Sequence, residues 1–338
     1  MKILVTGGAG YIGSHTIVDL IENNFEVVCI DNFSNSDDQL LKGIEQITGT
    51  TVVNYNVDLC DLEKVKEVFS KNKIDAIIHF AAFKSVDESV GNPFKYYQNN
   101  IQSLNNILKM VEEYKIKHFV FSSSCSVYGN CNELPVTEKT AMQYAQSAYG
   151  ATKQMGERMI EDLQKICAAN FIMLRYFNPT GAHPSNLIGE IVKGKPSGLV
   201  PNITQAAAGI IPFMTVFGTD YDTRDGSCIR DFIHVSDIAH AHTLALQKSL
   251  ADNSQQLLEI YNLGTGNGIT VIETIASFEK VIGKQFSYNK GPRRDGDVVA
   301  VYADNSKAKS DLHWHCKYSL DDMLQTAWAW QEKISAKL

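Results

Sequence analysis

The chain has 338 residues, 44% hydrophobic and 20% charged, a balance that excludes a disordered chain, a coiled coil and a collagen-like repeat. Its 31 basic and 38 acidic residues leave a net charge of −7, and without a Lys/Arg block no nucleic-acid partner is expected. No apolar run reaches the roughly 18 residues of a membrane span, and seven scattered cysteines without a CxxC pair point to a reducing cytoplasm.

Residues 3–5 read as a first strand, and they run into Thr6-Gly7-Gly8-Ala9-Gly10-Tyr11-Ile12-Gly13 before a helix over 11–23. The Gly7-x-x-Gly10-x-x-Gly13 spacing at a strand-to-helix turn is a variant of the dinucleotide fingerprint. One glycine permits the tight turn, one lets backbone approach a pyrophosphate, and one lets the helix sit close to the strand. Backbone N–H groups and the helix dipole then hold phosphates without a lysine. A second strand over 27–30 ends at Asp31, whose carboxylate can accept from a ribose 2′-hydroxyl and repel a 2′-phosphate. No arginine follows between Asn32 and Asp38, which favours NAD over NADP. Alone, Asp31 reads equally well as a solvated strand-end carboxylate.

Strands over 52–55, 76–80, 119–121 and 171–175 then alternate with helices over 38–47, 62–71, 96–115 and 149–166. Such alternation implies parallel strands with crossover helices, and the wholly apolar strand runs imply burial on both faces. The strand after 119–121 ends in Ser122-Ser123-Ser124, hydroxyls at a carboxyl strand end where α/β sites form. On the next helix Tyr149 and Lys153 stand at i and i+4, hence on one face. An ammonium beside a phenol favours phenolate, which is expected to lower the Tyr149 pKa toward neutrality and make it a general base for a sugar or alcohol hydroxyl.

From Asn178-Pro179 to about Gly226 the chain is rich in Gly and Pro and has few periodic stretches. Regular patterns return at 231–235, 236–250 and 259–263. The expected architecture is α/β: a doubly wound parallel-sheet Rossmann domain over 1–178, with a smaller mixed α/β substrate domain over 179–338. Segments near 229–263 are expected to pack back onto the first, leaving a cleft between the lobes. Gly264-x-Gly266-x-Gly268 reads as a turn. His240/His242 and His313/His315 read as structural, because i and i+2 residues on a helix diverge, so no metal site is expected. Arg230 and Arg294 can fork a pyrophosphate bidentately, although Arg230 could instead pair with Asp231, and Asp295 or Asp297 could neutralise Arg293-Arg294.

The motifs Thr-Gly-Gly-x-Gly-x-x-Gly, Asp31-Asn32, His79-Phe80-Ala81-Ala82, Ser122-Ser123-Ser124, Tyr149-x-x-x-Lys153 and Arg175-Tyr176-Phe177-Asn178-Pro179 together resemble the extended short-chain dehydrogenase/reductases. Within them the full chain is similar to the UDP-glucose 4-epimerases, which also share Phe217-Gly218-x-Asp220-Tyr221, Ile229-Arg230-Asp231-Phe232-Ile233-His234-Val235 and Arg293-Arg294-Asp295-Gly296-Asp297. The resemblance implies reversible C4 epimerisation of UDP-glucose and UDP-galactose through a transient 4-keto sugar, with tightly bound NAD, in a homodimer. It implies Tyr149 as base, Ser124 on the 4′-oxygen and Lys153 on the nicotinamide ribose. Gly7, Gly10, Tyr11, Ile12, Gly13, Asp31, Asn32, Asp58, Leu59, Phe80, Ala81, Lys84, Asn99 and Phe177 would join these three on the cofactor. Asn178, Leu199, Phe217, Arg230, Arg294, Asp297 and Val301 would face the nucleotide sugar.

Two positions depart from the resemblance. Gly198-Leu199-Val200-Pro201 stands where most of those epimerases have Asn-Leu-Met-Pro, and nearby Asn202 could substitute for the lost side chain. Val301 stands where a tyrosine accompanies restriction to UDP-glucose and UDP-galactose, so UDP-GlcNAc and UDP-GalNAc become candidate substrates, unless adjacent Tyr302 swings inward. The rivals are another NAD-dependent nucleotide-sugar epimerase, a related dehydratase, and a non-catalytic NAD-binding regulator. Ser124-Cys125-Ser126 lacks the carboxylate a dehydratase needs to expel water, and a regulator would be expected to lack Tyr149 or Lys153.

Overall fold

The computed structural model describes residues 1–131, 133–254, 256–294 and 297–336, so Asp295 and Gly296 lie outside the described residues. Strands β1 (Lys2–Thr6), β2 (Glu26–Ile30), β3 (Val53–Tyr55), β4 (Ala76–His79), β5 (His118–Ser124) and β6 (Asn170–Tyr176) join the strand Leu258–Leu263 in one sheet. Its order is Leu258–Leu263, β6, β5, β4, β1, β2, β3, with every pair parallel. The chain winds outward from β1 to β3, then returns to lay β4 on the other side of β1, with Thr6 level with both Ile30 and His79. At such a reversal the flanking loops part, and a crevice opens beyond the carboxyl ends of the strands.

Alternate residues of the apolar strand runs serve opposite cores. Ile3, Val5, Cys29, Ile78, Val120 and Ile172 fill one face, while Leu4, Val28, Ile30, Ile77, Phe119 and Phe171 fill the other. This two-sided burial explains why the runs carry no polar alternation. Helix α1 (Tyr11–Glu22) packs against the helix Val235–Ala251 on the first face, where Asp19 meets His240 at 3.1 Å. His242 is buried there and holds the Ile238 carbonyl.

The helix expected over 96–115 is three pieces: Pro93–Tyr96, a π-helical turn Tyr97–Ile101, and Gln102–Glu113. The extra residue of the π turn swings Asn100 inward. Its amide accepts from the Phe83 N–H at 2.9 Å and donates to the Phe83 carbonyl at 3.0 Å.

A smaller core of Val200, Ile203, Met214, Val216, Ile275, Phe278 and Leu324 lies across the crevice. It draws on the helices Leu199–Ala207, Val271–Ile282 and Leu320–Ser335 and on the strand pair Met214–Phe217 and Tyr288–Gly291. Two of these elements fall in the stretch that read as irregular; at nine and four residues they are too short for periodicity to register.

The strand expected over 231–235 is the shorter Phe232–His234, preceded by a separate strand Ile229–Arg230 in a different sheet. The break is Asp231. Its fully buried carboxylate accepts from Thr265 N–H (2.8 Å) and Oγ1 (2.6 Å), Gly266 N–H (3.1 Å) and Ala303 N–H (3.1 Å). The turn at Gly264–Gly268 is shaped around that carboxylate, since a Cβ on Gly264 would lie 2.3 Å from Oδ2. Asp231→Ala would strand the buried Ala303 N–H and the half-buried Thr265 N–H, each worth roughly 1–3 kcal/mol, and would release the Gly266 N–H to solvent. A loss of about 2 kcal/mol or more in urea unfolding is expected, and an unchanged midpoint would show that these bonds do not hold the turn.

Candidate active site

One cleft of about 910 Å³ follows the carboxyl edge of the sheet between the two cores, and every residue proposed above for catalysis, cofactor or substrate contributes to its lining. At one end, Gly7 adopts φ 69°, a left-handed turn that favours glycine. A Cβ on Gly13 would sit 2.3 Å from the Gly7 carbonyl oxygen, so only glycine lets α1 begin this close to β1. The helices Asp38–Thr48, Leu62–Lys71 and Ala148–Gln164 are capped by the side chains of Asp37, Asp61 and Ser147. Helix α1 has no capping side chain and no acid in its first turn. Its N–H groups and positive dipole end are thus left for an anion in the cleft.

Asp31 stands beside this turn, its carboxylate accepting from Ala9 N–H (3.1 Å), Phe33 N–H (2.9 Å) and Ser36 Oγ (2.6 Å). It is thus a fixed acceptor rather than a loose strand-end charge. Ile12, Asn32, Asp58, Leu59, Phe80, Ala81 and Phe177 line this half, and the π turn presents Asn99 to it. Tyr11 donates to the Gly181 carbonyl at 2.5 Å. Lys84 is ion-paired with Glu190 at 2.6 Å and lies 5.4 Å from the Tyr11 ring centre. A carboxylate acceptor, an uncapped helix start and a glycine cradle form a donor set that fits a dinucleotide.

In the middle of the cleft, Ser124 ends β5 with its Oγ accepting from Ser126 N–H (3.2 Å) and Oγ (3.0 Å). Tyr149 and Lys153 face it from one side of the helix Ala148–Gln164. The sequence expectation that Lys153 would lower Tyr149 fails here. Burial pushes the Tyr149 phenol up to about 12, with the Ser124 hydroxyl pulling it back and Cys125 adding to the rise. Burial also draws Lys153 down to about 7, against the charge of Glu157. The Lys153 ammonium is turned to the Ser122 carbonyl at 2.5 Å, with the Tyr149 ring centre 5.8 Å away. Desolvation is the largest influence on both groups, and it penalises the charged form of each.

At the far end Arg230 leaves Asp231 and pairs with Asp297 at 3.1 Å. The same Asp297 carboxylate holds Arg294 at 3.1 Å, and Arg294 also reaches Asp87 at 3.4 Å. The Arg294 guanidinium lies 5.0 Å from the Phe217 ring centre. Asn178 donates to the Asp231 carbonyl at 2.9 Å. Leu199 opens a helix at the rim, next to Gly198, where a Cβ would meet only the Pro201 ring. Asn202 does not reach into that space with its amide nitrogen, which donates to the Pro196 and Gly198 carbonyls at 3.1 and 2.7 Å. Val301 lines the cleft one strand from Arg230, whereas Tyr302 lies against Gly268 and away from the lining. Gln146, Lys195 and Thr215 also line the cleft; no motif marks them, because only folding brings these loops together.

A family model described as GDP-mannose 4,6 dehydratase matches residues 4–327. A UDP-glucose 4-epimerase of Bacillus subtilis is 46% identical over 332 residues, 98% of this chain and 97% of that protein. The chain belongs to the UDP-glucose 4-epimerase family. Two solved members of that family superpose over all of both chains with a TM-score of 0.96. One, from Stenotrophomonas maltophila, is 43% identical and holds NAD and formylated UDP-arabinopyranose. The other, from Bifidobacterium longum, is 40% identical and holds NAD⁺ and UDP. As a UDP-glucose 4-epimerase family member, this chain carries its departures, Gly198 and Val301, in the lining of the cleft.

Proposed function

We propose that Tyr149, Ser124 and Lys153 perform reversible C4 epimerisation of UDP-glucose and UDP-galactose with tightly bound NAD. The observation that carries this reading is the meeting, in one cleft, of the uncapped α1 N-terminus with the Ser124–Tyr149–Lys153 cluster. NAD, when bound, supplies a reversible hydride acceptor for C4′ of the sugar. Backbone N–H groups of Gly7–Gly13 hold its pyrophosphate and Asp31 holds its adenosine ribose. Tyr149 takes the proton of the 4′-hydroxyl and returns it, while Ser124 bonds the same oxygen. Lys153 supplies the ammonium beside the phenol.

Since burial holds Tyr149 at about 12, the ammonium alone does not ready it; a cationic ring bound alongside favours phenolate further. The base is therefore set only in the cofactor-loaded protein. Arg230 and Arg294, already aligned by Asp297, meet the UDP pyrophosphate. The dehydratase reading lacks an acid, since Cys125 and Ser126 follow Ser124 in the lining.

The larger lobe, built on residues 1–178 with the segments near 229–263, is assigned to NAD, and the remainder of 179–338 to the UDP-sugar. The open wall at Gly198 and the small Val301 side chain support acceptance of UDP-GlcNAc and UDP-GalNAc as well. No described helix is long and apolar enough to cross a membrane, and a cytoplasmic location is proposed. So is a homodimer through the helices Gln102–Glu113 and Ala148–Gln164; Met155 on the second is exposed, as are Phe94 on the short helix Pro93–Tyr96 and Ile166 just past Gln164. Sedimentation at twice the 37.5 kDa chain mass would support the dimer, and a single-chain mass would refute it.

Purified protein should carry NAD and interconvert UDP-glucose and UDP-galactose without added cofactor. Tyr149→Phe should lower kcat by roughly 10²–10⁴ while NAD, measured after denaturation, remains bound. Near-full activity would remove Tyr149 as the base. With UDP-GlcNAc, turnover by the native protein and its loss in Val301→Tyr, with UDP-galactose turnover kept, is the expected pattern. No turnover by the native protein at high concentration would end that extension.

A further inference from the structure

The helix Ala148–Gln164 carries Tyr149, Lys153 and Glu157 at successive i, i+4 steps, so all three fall on one face. The first two reach the cleft, whereas Glu157 does not line it and is 1% exposed. Its carboxylate accepts from Arg175 Nε at 2.9 Å and Nη2 at 2.6 Å, and from Ser123 Oγ at 2.5 Å. Ser123 and Arg175 are register partners on β5 and β6. Behind them Arg175 Nη1 donates to the Tyr128 hydroxyl at 3.0 Å, which donates to Asn262 at 2.6 Å. A forked, doubly anchored carboxylate of this kind has one position and one charge.

That charge lies one helical turn beyond Lys153, directly under the strand end Ser122–Ser124. From the other elements packed around Lys153, β4 offers His79, kept neutral by burial at about 3. β5 offers the Ser122 carbonyl and the Phe121 ring, 4.9 Å from the ammonium to the ring centre. β6 offers the neutral phenol of Tyr176, engaged with Ser122 Oγ. Cys125, beyond Ser124, stays a thiol because burial raises it. The one further charge beside these neutral groups is the Arg175 guanidinium paired to Glu157, and among them Glu157 is the anion that opposes the desolvation of Lys153.

We propose that Glu157 is a positioning residue for the chemical step: its carboxylate, fixed by Arg175 and Ser123, keeps Lys153 as an ammonium on the Ser122 carbonyl beside Tyr149. The proposal rests on the reading of Tyr149 as base with Lys153 as its partner. Without the Glu157 charge the ammonium is lost more easily, so activity that needs it disappears as pH rises through a lower value.

The test uses NAD-loaded protein and two observables, kcat for UDP-galactose against pH and Tyr149 ionisation by ultraviolet difference absorbance, with Tyr149→Phe as the blank. Glu157→Gln removes the charge but leaves Arg175 unpaired inside the protein, which is strongly destabilising. The double variant Glu157→Gln/Arg175→Met removes both charges and stays measurable if the single variant does not fold. In the single variant the basic limb of kcat should move down by about one pH unit or more and Tyr149 ionisation should move up, with KM changed less than about twofold; in the double variant, which loses the Arg175 charge as well, both shifts should keep their direction and be smaller. Glu157→Asp, which restores the charge, should move the limb back. A uniform fall in kcat with both titrations unmoved would overturn the proposal and leave Glu157 a purely structural ion pair. Failure of the underlying reading is distinct, because Lys153→Met would then retain full activity.

Discussion

The closeness of α1 to the end of β1 is the constraint on which the rest depends. Gly13 has no room for a Cβ against the Gly7 carbonyl, and so the helix start is driven into the crevice where the strand order reverses. Left uncapped, that helix end places partial positive charge at the one spot where the fold opens. An acidic chain can hold a pyrophosphate there without changing its overall balance of charge. Because the sheet is parallel throughout, the Ser124 end of β5 opens into the same crevice, two strands away.

A second constraint is charge matching along the cleft. Lys84 is met by Glu190, and Asp297 aligns both Arg230 and Arg294. Each cation offered to a ligand is thereby held in place before the ligand arrives, which lowers the ordering cost of binding. Burial acts on the proposed catalytic pair, raising Tyr149 and lowering Lys153. In the proposed reaction, further positive charge brought in beside Tyr149 favours its phenolate.

Much of the larger lobe was legible because its signals are local. Residues 62–71 were read as a helix and form one over Leu62–Lys71, with Asp61 as its cap. The strand runs were legible because both faces are buried, which leaves uninterrupted apolar letters. The apolar spacing over 96–115 predicts one unbroken helix, because a π turn leaves that rhythm almost unchanged and the contact of Asn100 with Phe83 that accompanies it is not local. Asp231 was read as one letter of a strand, although its partners lie more than thirty residues away at Thr265, Gly266 and Ala303. The smaller lobe was the least legible, since it is built from short pieces whose apolar faces meet only one another.

By itself the sequence determined the glycine cradle, the carboxylate at Asp31, the Tyr149-x-x-x-Lys153 pair and the parallel winding of the sheet. Each rests on spacing along the chain, and spacing is preserved in a sequence. Folding decided the partners and the protonation of those same residues. Arg230 turned to Asp297 and not to its neighbour Asp231, Lys153 turned to a carbonyl, and Tyr149 moved away from neutrality. Desolvation and ion pairing depend on everything packed around a group, and that surround is assembled from segments remote in sequence.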